Sequence, residues 1–203
     1  MEFRLTYSGE LIAASHNKPR ASKKHEIRKC FHPQIRRLWE ITPHLKAMRH
    51  PPIMPTEVNR APDISRIQYL AKNFSRGPFG FVPLVTKDLF LWCGIDILFL
   101  RPSAPGLIVK SGDIDNRLKT IFDALIVPKK LEDIGGIDVK PEDDEDPFFV
   151  LLEDDRLIAK VSVEADTLLE PIGRFPSDND ARLIITVRVK PLLSKWINRE
   201  FTY

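Results

Sequence analysis

The chain has little cysteine, two residues among 203. Cys30 stands in a basic segment and Cys93 inside an apolar one, so spacing supports neither a disulfide framework nor a Cys-based zinc site, and both are expected to be free thiols. The histidines His16, His25, His32, His44 and His50 lack the paired spacing of a metal-binding helix and read as surface or DNA-facing groups. No long hydrophobic run is present either. The longest, 89–100, is broken by Cys93, Gly94 and Asp96 and falls short of the roughly 20 residues that span a bilayer. The N-terminal MEFRLTYSGE lacks the basic start and apolar stretch of a secretory signal, so a cytoplasmic protein without membrane contact is expected.

What the chain does contain is ordinary globular material, 43% hydrophobic and 29% charged, which argues against disorder. At 203 residues it suits one domain with one sizeable core. The net charge of +3 conceals a division: residues 1–110 hold 18 basic and 8 acidic side chains, whereas 111–180 hold 8 basic and 19 acidic. Such asymmetry suits a surface that meets a polyanion beside a region that gathers carboxylates for hard cations. A solvated charge run would look the same, so the motifs decide.

Phe3, Leu5 and Tyr7 alternate with polar residues and predict a first strand, followed by a polar, basic loop over 15–24. A helix is expected over 32–46, with Pro33 in its first turn and Ile35, Leu38 and Trp39 on its apolar face. The proline-rich stretch 51–83 reads as an elaboration with a short helix near 64–74. The run 89–100 predicts a central strand buried on both faces. Leu118, Ile121, Phe122 and Leu125 follow helical spacing over 113–126. The acidic, glycine-containing stretch 129–147 is expected to form a loop or lid. Two strands follow, with Ala159, Val161 and Val163, then Leu183, Ile185, Val187 and Val189, facing inward. The aromatics Phe79, Phe81 and Trp196 read as core residues sooner than as base-stacking ones.

The chemistry lies in SGDIDNRLKTIFDAL. Asp113 and Asp115 stand at a loop-to-helix junction, and Asp115, Lys119 and Asp123 share a helical ridge at four-residue intervals. An aspartate there commonly caps its helix. A second acidic group, Glu153, Asp154 and Asp155, stands between apolar Leu151–Leu152 and the next strand. Magnesium takes one or two carboxylates plus waters and substrate phosphate, so two aspartates with a third from another element suffice for phosphodiester hydrolysis. Lys119 would stabilise charge developing on the phosphoryl group.

Asp113-Ile114-Asp115-Asn116-Arg117-Leu118-Lys119, then Phe122-Asp123-Ala124-Leu125, then Asp154-Asp155, in that order, resembles the RusA family of Holliday junction resolvases. The resemblance spans about 89–190. It implies an α+β fold, a small mixed sheet of about four strands with helices packed on it and the motif helix between two core strands. It also implies a homodimer that nicks four-way DNA junctions symmetrically with Mg2+, or Mn2+. Asp113, Asp115 and Asp155 become its metal-binding carboxylates, Asp154 a weaker one, and Lys119 its catalytic lysine. The acidic loop and the 51–83 stretch depart from the family pattern and bear on substrate preference. For DNA contact the expected residues are Lys18, Arg20, Lys23, Lys24, Arg28, Lys29, Arg36 and Arg37, with Arg117 in the motif itself. A flap or fork nuclease, and a DNA-binding accessory protein without turnover, are the alternatives.

Overall fold

A computed structural model describes residues 1–12, 19–51, 64–102, 113–136, 138–174 and 177–202, with the backbone alone at 19, 20 and 113. The chain runs through β1 (Glu2–Glu10), α1 (Pro19–Ile41), α2 (Pro43–Ala47), α3 (Arg66–Asn73), β2 (Ser75–Arg76), β3 (Phe79–Val85), β4 (Leu91–Arg101), α4 (Asp113–Leu125), β5 (Phe148–Leu152), β6 (Ile158–Thr167) and β7 (Asp180–Pro191). Short 3-10 turns occupy Leu131–Asp133, Asp155–Leu157 and Trp196–Phe201. Among the described residues no helix is long and apolar enough to cross a membrane.

The main sheet has the order β1-β7-β4-β6 and is mixed. β4 pairs antiparallel with β7, from Leu91↔Pro191 to Leu100↔Arg182, and parallel with β6, from Cys93↔Ile158 to Arg101↔Thr167. A parallel pair needs a long crossover, and the stretch from β4 to β6 supplies it through α4. The alternation expected of β7 holds, since Leu183, Ile185, Val187 and Val189 are all buried. They meet Leu5 and Tyr7 of β1 and Cys93, Ile95, Ile97 and Phe99 of β4 on the core face. Full burial of a side chain such as Phe99 contributes on the order of 2–3 kcal/mol. The expected α+β architecture with a small mixed sheet is therefore present.

Several expectations need correction. A second sheet, β2-β3-β5, takes part of the proline-rich stretch into the core, with β3 and β5 parallel. Both strands are buried on both faces, so neither shows the alternation by which strands are read, and Pro83 obscures β3 further. Helix α1 starts at Pro19, not at 32, and Pro33 lies exposed in its interior. The helix holds there because Ile27, Phe31, Ile35 and Trp39 recur every four residues and are all buried. The β4 run is fully buried on one face only, Trp92, Asp96, Leu98 and Leu100 being partly exposed. On β6, Ala159 and Val161 are exposed instead of inward. Trp196 is 83% exposed beneath the Arg199 guanidinium. α3 starts where expected, Ser65 and Gln68 closing a reciprocal capping box.

Two histidines read as surface groups are core groups. His25 packs against the rings of Phe79 and Phe148 at 5.6 and 5.5 Å. His32 accepts the Phe149 amide at 2.8 Å through Nδ1 and bonds the Asp144 carbonyl at 2.9 Å through Nε2. Cys30 is a free, exposed thiol and Cys93 a free, buried one.

Candidate functional site

Ile121, Ala124 and Leu125 anchor α4 in the core, and Leu118 and Phe122 are partly buried against it. That stripe leaves Asp115, Asn116 and Lys119 on the solvent side, all exposed. Neither Asp115 nor Lys119 makes a side-chain hydrogen bond or ion pair with another described residue. The expected ridge ends there. Asp123 is bound to Lys24 (Nζ–Oδ2 2.5 Å), and its backbone carbonyl accepts Arg28 Nη2 at 2.7 Å. Asp123 thus joins α4 to α1. The Asp113 side chain lies outside the described residues.

The acids after β5 divide in the same way. Glu153 accepts the Lys87 amide at 2.9 Å and pairs with its ammonium at 3.2 Å. Asp154 accepts from Arg156 three times, from the amide at 3.0 Å, Nε at 2.7 Å and Nη2 at 2.9 Å. The Arg156 guanidinium holds the Asp154 carboxyl well below the usual carboxylate range. Asp155 is exposed and makes no hydrogen bond or ion pair through its side chain among the described residues.

The topology separates the two acidic groups. Arg117 is buried and donates to Asn179 Oδ1 at 3.1 Å, which ties the first turn of α4 to the sheet end where β7 begins and β4 and β6 finish. The other end of α4 leads into Ile126, which bridges Leu152, and Asp155 lies just before Ile158, the partner of Cys93 near the start of β4. At about 1.5 Å per residue, α4 sets Asp115 on the order of 15 Å from that end. Carboxylates sharing one magnesium ion stand about 2 Å from it. Asp115 and Asp155 therefore do not converge within the chain. Among the described residues no three His, Cys, Asp or Glu side chains gather as a metal site.

Most of the basic residues expected to meet DNA meet the protein's own acids. Lys23 pairs with Glu26 at 3.2 Å, and Lys29 bridges Glu142 (2.7 Å) and Glu145 (2.8 Å) of the acidic loop. Arg36 donates to the Asp144 carbonyl at 3.2 Å and pairs with Glu40, as does the more exposed Arg37. Lys18 and the Arg20 side chain lie outside the described residues. Arg28 is 2% exposed and Arg117 6%, so both serve packing instead of a phosphate backbone, which no buried guanidinium reaches.

No family model, curated protein or solved structure matches this chain.

Function then turns on the groups that packing leaves unspent. Helical spacing alone puts Asp115, Lys119 and Asp123 on one ridge, and the fold separates the exposed pair from Asp123, which Lys24 holds. Sequence reasoning also missed Asn179, whose side chain receives Arg117. A polar residue in a turn 62 positions away carries no local signal of that contact.

Proposed function

We propose that this chain is a Mg2+-dependent endonuclease of the RusA type, which as a homodimer nicks four-way DNA junctions in pairs during recombination or repair. The observation that carries the reading is the exposed pair Asp115 and Lys119, one turn apart on α4 and without a side-chain partner among the described residues. Arg117 and Asp123 on the same helix, and Asp154 beside Asp155, are all engaged within the protein. A carboxylate and an ammonium left facing solvent are suited to hold a cation and to meet a phosphodiester. Asp155 is likewise exposed and without a side-chain partner among the described residues.

In this reading Asp113 and Asp115 are the carboxylates of one side of the site and Lys119 neutralises charge on the phosphoryl oxygens. Asp155 is the third carboxylate. Because it lies at the opposite end of its own protomer, each complete site takes Asp113, Asp115 and Lys119 from one protomer and Asp155 from its partner. Asp154 stays with Arg156 and orders the turn that presents Asp155. Bound magnesium supplies charge neutralisation and a more acidic water. Lys23 and Arg37, whose ion pairs are partly exposed and weak, are suited to exchange those partners for phosphates.

The test is cleavage of a synthetic four-way junction, a flap and a linear duplex with Mg2+ by the wild type and Asp115→Asn. Paired nicks in the junction that fall by about 100-fold or more in the variant support the reading. Cutting of the flap alone would keep the nuclease and remove the resolvase. Junction binding without cutting under Mg2+ or Mn2+ would favour an accessory protein.

A further inference from the structure

The two edges of the main sheet are treated differently. At β1, the Gln34 side chain accepts the Thr6 amide at 2.9 Å and donates to its carbonyl at 2.8 Å, closing part of that edge. At β6 the outer edge has no strand partner among the described residues. Ala159, Lys160, Val161, Ser162, Glu164 and Asp166 are exposed there, Val161 to 45%. A ten-residue edge strand without proline or glycine is a template for pairing with another chain.

We infer that a second copy of this chain docks on that edge by antiparallel β6–β6 pairing, which continues the sheet across two protomers. The strand is complementary to its own reverse. With the twofold axis at Val163, Lys160 faces the partner's Asp166 and Ser162 faces the partner's Glu164 on one face of the sheet. On the other face Val161 meets the partner's Ala165, and Val163 meets itself. Opposite charges directly across an antiparallel pair are stabilising, like charges destabilising, and a twofold interface repeats each pair. The opposite-charge pairs are thus made twice.

This geometry also answers the separation of the acids. Reversing β6 against itself sets the Asp155 end of one protomer beside the end of the partner's sheet where the partner's α4 begins. That consequence rests on the nuclease reading above, whereas the pairing itself does not.

The experiment is analytical ultracentrifugation of the full chain, with far-UV circular dichroism as a check on folding. The wild type is expected to sediment at twice the chain mass. Lys160→Asp and Asp166→Lys each set like charges across the axis and are expected to raise the dimer dissociation constant tenfold or more. The double variant exchanges the two charges and is expected to restore dimerisation, although it loses the intrachain contact of Lys160 with Asp96 at 3.4 Å. A monomeric wild type overturns the proposal. So does a dimer indifferent to the single changes, or one that the double change fails to restore. A restored dimer that cuts no junction leaves the edge standing and removes the nuclease; a monomer that cuts does the reverse.

Discussion

Arg28 shows how a cation that reads as a DNA contact becomes a fastener. Burial draws its pKa down to about 10, with Asp133 and Asp123 opposing that shift, so it remains charged at neutral pH. Its Nη2 then meets the Asp123 carbonyl in the last turn of α4, where a cation also faces the negative end of the helix dipole. Arg28→Ala is expected to cost about 3 kcal/mol in urea unfolding; a loss below about 1 kcal/mol would show that the contact does not hold α1 to α4. The neighbouring His25 reports burial through pH. Burial, then Arg28 and Lys29, lower its pKa to about 3, so the folded protein keeps it neutral where the unfolded chain, near 6.5, takes up a proton. Stability should be insensitive to His25 above pH 6.5 and fall as pH drops below it, by up to about 1.4 kcal/mol per pH unit. His25→Phe, which keeps an aromatic ring beside Phe79 and Phe148 without a titrating group, should flatten the unfolding midpoint between pH 6.5 and 4. An unchanged slope would refute the assignment. Neither fate was legible locally, because a histidine in a polar, basic stretch looks solvated until Phe148 arrives from far along the chain.

At the scale of elements, the pairing of α1 with the acidic loop resolves the opposing charges of the two halves of the sequence. Lys29 holds Glu142 and Glu145 together, yet their surroundings differ, the Glu145 side chain being 5% exposed and that of Glu142 70%. Exposed pairs are worth little, whereas deleting one partner of a buried pair strands the other. Glu145→Ala should therefore lower stability by about 2 kcal/mol and Glu142→Ala by less than about 0.5 kcal/mol, measured side by side in urea. Equal losses would mean that the loop is held by net charge alone. The loop's composition was visible in the sequence, and its seat on α1 was not. Helix α4 was legible because its apolar stripe repeats every three to four residues and needs no partner to be recognised. β3 and β5 were not, because complete burial erases the period that marks a strand.

For the whole molecule, the opposite placement of Asp115 and Asp155 makes a prediction that one protomer cannot fulfil. On the nuclease reading proposed above, Asp115→Asn and Asp155→Asn are each expected to abolish junction cutting. If each site draws on two protomers, mixing the two variants after subunit exchange creates heterodimers with one intact site, restoring about a quarter of wild-type cleavage. A mixture that binds junctions and stays inactive would place the whole site within one protomer.

The sequence alone determined the elements whose pattern is local. These are the alternating β1 and β7 and the amphipathic α4, whose spacing sets Asp115 and Lys119 on one face. Side-chain identity at fixed intervals sets which residues share a face, and that needs no knowledge of the fold. Tertiary structure decided which charges are consumed and which remain. The contacts that bury Arg28 and His32 join residues 95 and 117 positions apart, so no interval in the sequence announces them. It also decided that Asp115 and Asp155 face opposite ends of one sheet, because a parallel strand pair carries its crossover helix back along the whole length of the strand before the second strand begins.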